Sequence, residues 1–352
     1  MEEKKRLIYP DVLRIVSIFC VVIIHVVGKL WKAVPILSAD WISLVAIDSL
    51  CRFAVPVFVM VTGMFMLSPE KDRGLKDLYQ KKIFRMLICF VFWSAFYVLF
   101  YNLPGIIAGR GISVSVSKLV GDFVIGKYHL WFMYMIIGLY IVTPLLRKIV
   151  SSKKDMQYFL IIWLVFCIFR NFMSLIPQYG EDFDRLFGVF KISMALEYSG
   201  YYVLGYYLHN YDIPKKIQTA IHIFSVLGVV AMTVLTAYGS HKISKNNESF
   251  FEYLLPMTAF LSVSVFLLVK KICADKNPSQ KTRSIIGTLS KISFGVYLSH
   301  LFAIDLTFYI CTQRLALPCF ASFGIMLVTT LIFSSAISYI LNKIPIVNKY
   351  LV

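Results

Sequence analysis

The sequence predicts an all-α integral membrane protein of about ten transmembrane helices, with the N-terminus and C-terminus both cytoplasmic. Three observations predict it. Of the 352 residues 59% are hydrophobic and only 16% are charged, where a soluble domain carries nearer a quarter. Apolar runs long enough to cross a bilayer, about 20 residues each, recur along the whole chain, and mean hydropathy is +0.74. The basic residues sit in short clusters between those runs.

The runs fall at 11–31, 41–67, 83–101, 129–149, 157–176, 195–210, 217–238, 252–271, 290–311 and 318–341, the sixth being short. With the N-terminus inside, the cytoplasmic segments hold 23 Lys and Arg and the outer segments 11. The excess of Lys and Arg on cytoplasmic loops sets orientation, and 71–85 and 270–291 are the richest such loops. The same clustering turns the net charge of +17 into a topology signal and argues against nucleic acid as a partner. One transmembrane domain over 1–352 is expected.

The first span follows Lys4, Lys5 and Arg6 and resembles a signal peptide. Arg14 and His25 interrupt it and no small-residue cleavage site follows, so an uncleaved helix is expected. Eleven residues apart, these two side chains fall roughly 20° apart on one face and roughly 16 Å apart along the axis. The second span carries Asp48 and Arg52, adjacent on one face at i,i+4. Pro56 then kinks the helix and frees a carbonyl. The pair reads either as an internal salt bridge or as part of a polar site. His129 and Trp131 open the fourth span, and the ninth holds His300 and Asp305. Ionisable groups at membrane depth cost several kcal/mol unless paired or hydrated, so each is a functional candidate.

Counting from span ends places His25, Asp48, Glu197 and Asp305 in the outer half and Arg14, Arg52 and His300 in the inner half. A cavity with a cationic inner end and an acid/base outer end is the expectation. The outer loops 102–128 and 177–194 either cap an outward site or simply connect spans. The seven cysteines lie mostly within apolar runs and show no paired spacing, which implies neither a disulfide framework nor a metal site.

Four blocks together resemble the membrane acyltransferase type 3 family. YPDVLRIVSIFCVVIIHV carries its Arg-x10-His motif on Arg14 and His25. RFAVPVFVMVTGMFML, with Arg52, Pro56 and Gly63, is similar to its second span. HLWFMYMIIGLYIVTPLLRK, with His129, Trp131, Pro144 and Arg147, is similar to its fourth, and SFGVYLSHLF ends in His300. The resemblance is to the stand-alone O-acetyltransferases, without an appended esterase-like domain. It implies ten helices in a bacterial inner membrane, an acyl-coenzyme A donor (most often acetyl-CoA) on the cytoplasmic side, and a glycan or lipid-linked sugar acceptor outside.

Combining the resemblance with the residues assigns expected roles. His25 acts as general base, or less simply is acylated, with Glu197 or Asp305 orienting its ring. Arg14, Arg52 and His300 serve the donor, and Arg52 or a backbone N–H freed near Pro56 stabilises an oxyanion. Asp48, His129 and Trp131 serve the acceptor. The rival reading is a transporter or exporter of a glycan or envelope precursor using the same polar line.

Overall fold

A computed structural model describes residues 7–108, 114–176, 178, 180–192, 197–274, 276 and 278–352. Every regular element among them is helical. Nine stretches of the described residues are long and apolar enough to cross a membrane. They are α1 (Tyr9–Leu30), a second span divided into α2 (Ala39–Cys51) and α3 (Ala54–Met66), α4 (Gly74–Ile107), α5 (Tyr128–Ile149) and α6 (Lys153–Met173). After the short α7 (Ser199–Asn210) come α8 (Lys215–Ile243), α9 (Pro256–Ala274), α10 (Gln280–Arg314) and α11 (Cys319–Lys343). The short sixth run is therefore a 12-residue helix. The expected spans are otherwise all present.

Local chemistry sets the helix ends. Pro10 stands in the first turn of α1, where its missing N–H has no intrahelical role, and Asp11 follows it there. Ser38 and Ser279 each cap a helix by accepting a backbone N–H three residues on. The second span breaks at Arg52 and Phe53, where Pro56 cannot donate to the Arg52 carbonyl, and Val57 N resumes the ladder by donating to Phe53 O at 3.0 Å.

The centre of the bundle is α1 with α2 and α3. In the α2–α3 span 72% of the apolar window is buried, against 22% for α8 and for α11, so the latter two face lipid. α10 packs along α11 and α1, α8 along α9, and α7 along α3. That last crossing depends on two glycines. A Cβ on Gly63 would lie 1.9 Å from the Tyr202 carbonyl oxygen, and one on Gly205 would lie 2.0 Å from that of Met60. The short helix can thus press its backbone directly against α3. Arg147 of α5 completes this end of α3, donating to the Met66 carbonyl at 2.9 and 3.1 Å and pairing with Asp72. It satisfies a carbonyl that the helix end leaves open.

Some expectations fall outside the described residues: Lys4, Lys5 and Arg6, the first two positions of the sixth run, and parts of the 102–128 and 177–194 loops. Within those loops lie two short helices, Val116–Ile125 and Gly180–Val189.

Candidate functional site

The apolar stripe of α1 that carries Arg14 also carries Val21, Ile24 and His25, and all four line one cavity of about 430 Å³. At the Arg14 end Lys82 and Arg85 of α4 join the wall, so three cations ring that mouth. Toward the His25 end the wall becomes His129, Trp131, Phe132, Tyr253 and Tyr297. Arg14 is held by Asp11 at 3.2 Å and lies over the Phe65 ring. Asp11 in turn accepts from Ser290 at 2.7 Å.

At the other end three histidines from three separate helices meet. The His300 ring lies 4.9 Å from that of His25 and 5.2 Å from that of His129, centroid to centroid. His300 is fully buried and His129 nearly so. The His300 Nδ1–H donates to the Tyr297 carbonyl at 2.6 Å, while its Nε2 has no hydrogen-bond partner among the described residues. The Tyr297 hydroxyl donates to the His129 carbonyl at 2.6 Å, and Tyr97 packs edge-on against the His129 ring. His129 leans toward the Leu298 backbone, but neither of its ring nitrogens makes a hydrogen bond of ordinary geometry. The Tyr128 hydroxyl stands 3.5 Å from His25 Nδ1. Among the described residues no three His, Cys, Asp or Glu are arranged as metal ligands.

One turn beyond the histidines is a second polar layer. Asp305 faces Lys29 at 2.7 Å and accepts from the Tyr101 hydroxyl, and the Lys127 ammonium lies 3.6 Å from the centre of the Tyr101 ring. Partial burial lowers the Lys127 pKa below the ordinary lysine value.

These placements correct the depth reading in two respects. His300 is not in an inner layer with Arg14; it touches His25. Depth counted from the start of a span fails here because α10 begins at Gln280, well before the apolar run. Arg52 also lies toward the His25 end. Its guanidinium stacks 4.3 Å from the centre of Phe251, whose ring meets Trp31 just past the end of α1.

Arg52 and Asp48 form a two-pronged pair at 2.5 and 2.9 Å, and neither lines the cavity. Glu197 is exposed, its carbonyl accepting from Trp163 Nε1 at 2.8 Å, and the structure does not bring it to His25. Trp131 joins Tyr198 and Tyr253 in an aromatic group on the cavity wall. Among the described residues of the two outer loops, the end of the first, at Lys127 and Tyr128, is the part that reaches the histidine cluster.

Sequence reading missed Lys82, Arg85, Tyr128 and Tyr253. The signal for the two cations is present in the sequence: they stand at i,i+3 on one helix face inside the basic 71–85 cluster, which with Arg14 is expected to form a cationic cytoplasmic mouth without either residue being singled out. Nothing local marked Tyr253.

A many-helix membrane protein with a cation-ringed cavity ending at buried imidazoles is the class that fold and site define. The chain belongs to the acyltransferase 3 family: that family's acyltransferase domain matches residues 7–339. It is therefore a membrane acyltransferase. No curated protein and no solved structure is significantly similar to it.

Proposed function

We propose that the protein is an O-acyltransferase of a bacterial cytoplasmic membrane, with the N-terminus inside. It takes an acyl group, acetyl in the simplest case, from cytoplasmic acyl-CoA and passes it to a hydroxyl of an envelope glycan or lipid-linked sugar at the outer face. One observation carries the proposal: a single cavity joins the cations Arg14, Lys82 and Arg85 to the imidazoles of His25 and His129. Coenzyme A is anionic at its nucleotide and carries its thioester on a long thin arm. A cationic mouth with a narrow apolar wall beyond it suits both parts.

His25 then acts as general base. It takes the proton of the acceptor hydroxyl as that oxygen bonds to the thioester carbonyl carbon. The tetrahedral intermediate collapses with cleavage of the carbon–sulfur bond, and the departing thiolate takes the proton from the imidazolium. Trp131 and Tyr253 offer flat faces against which a sugar ring can stack.

The test is release of free coenzyme A thiol by the purified protein in lipid vesicles, with acetyl-CoA and a panel of sugar hydroxyl acceptors. His25→Ala should lower acceptor-dependent release at least about a hundredfold, the lower bound for a positioned acid–base group, while donor binding persists. Unchanged release by His25→Ala would overturn the assignment of the base.

A further inference from the structure

A general base in a dry site needs a partner to fix its tautomer and to share the charge it acquires. Carboxylates commonly do this, and Glu197 and Asp305 were the two expected. Glu197 is exposed and does not line the cavity, and Asp305 is occupied by Lys29 and Tyr101. The groups that touch His25 are instead the Tyr128 hydroxyl, 3.5 Å from Nδ1, and a second imidazole, that of His300.

The state of that imidazole follows from its contacts. A carbonyl oxygen only accepts, so the bond from His300 Nδ1 to the Tyr297 carbonyl places the ring hydrogen on Nδ1. In the neutral ring Nε2 then carries the lone pair. That nitrogen is buried and has no partner among the described residues, a costly condition unless something comes to it. Both imidazoles beside it, His25 and His129, line the cavity; His25 is the nearer to His300 and the less buried of the two, and so has more room to turn.

We propose that His300 is the positioning residue of the site. Its Nε2 accepts a hydrogen bond from a ring N–H of His25, which leaves the other His25 nitrogen as the base. This rests on the reading of His25 given above. When His25 takes the acceptor's proton, the bond to Nε2 becomes charge-assisted and strengthens. The proton stays on His25 until the thiolate takes it. A neutral acceptor suits this depth because burying it costs far less than burying a second carboxylate.

The experiment compares His300→Leu and His300→Gln, alone and in the His25→Ala background, for kcat and for the KM of acetyl-CoA. Leucine fills the space without an acceptor; glutamine carries an amide oxygen close to where Nε2 lies. His300→Leu should lower kcat about ten- to hundredfold with the donor KM unchanged, the pattern of an interaction made in the transition state. His300→Gln should recover most of that loss. In the His25→Ala background His300→Leu should cost nothing further.

Leucine as fast as the parent, glutamine no better than leucine, or a full further loss on top of His25→Ala would each overturn the proposal and leave His25 as base. A parent that transfers no acyl group would overturn the enzymatic reading and this proposal with it.

Discussion

Replacing Asp48 alone should destabilise the protein more than replacing Asp48 and Arg52 together. The two side chains are only 2% and 13% exposed and meet in a two-pronged bond. Asp48→Leu leaves the guanidinium with the Phe251 carbonyl at 3.4 Å and the faces of Phe251 and Tyr253. Stranding one member of a buried pair costs about 3–5 kcal/mol. The remaining ring contacts, about 2 kcal/mol when desolvated, are already present in the parent and do not replace the lost carboxylate. We therefore expect about 3 kcal/mol or more for the single variant. In Asp48→Leu/Arg52→Met no charge is stranded, and the loss reduces to the Phe251 clamp, about 1–2 kcal/mol. At roughly 2–4 °C per kcal/mol, the single variant should melt about 6–12 °C below the parent and the double variant about one third to two thirds as far. The assay is thermal unfolding in one detergent, followed by labelling of buried thiols; Cys51 beside the pair is a built-in reporter. A double variant as unstable as the single one would refute the reasoning. It would show that Asp48 answers to something other than Arg52.

Arg14→Ala should weaken acyl-CoA binding about tenfold or more, since a charge-assisted bond contributes about 1.5–3 kcal/mol. Arg14→Lys should recover part of it, as read by donor binding in detergent away from lipid headgroups. Single cysteines in 68–85 and 278–291 should resist an impermeant thiol reagent applied to intact cells, and cysteines at 114–127 should react, as the Lys and Arg distribution requires. Gly63→Val should prevent stable folding, because its side chain would occupy the space of the Tyr202 carbonyl. Loss of the monodisperse species on size-exclusion chromatography reads that outcome, and an unchanged elution profile would sink it.

What lay within one helix was legible in the sequence. The positions of the spans, the shortness of the sixth, the interruption of the second span by Pro56, the Asp48–Arg52 pair and the shared face of Arg14 and His25 all depend on helical repeat and on proline lacking an N–H. Those are fixed over a few turns by covalent geometry. What lay between helices was not. The meeting of His25, His129 and His300, the capture of Asp305 by Lys29, the place of Lys82 and Arg85 in the cavity wall and the separation of Glu197 from it depend on how far each helix slides along its neighbours. A helix can extend past the bilayer at either end, as α10 does from Gln280, so hydropathy bounds its depth only to within a few turns. The close crossing at Gly63 and Gly205 and the two ends of the second span around Phe53 decide that register, and only the packed bundle contains it.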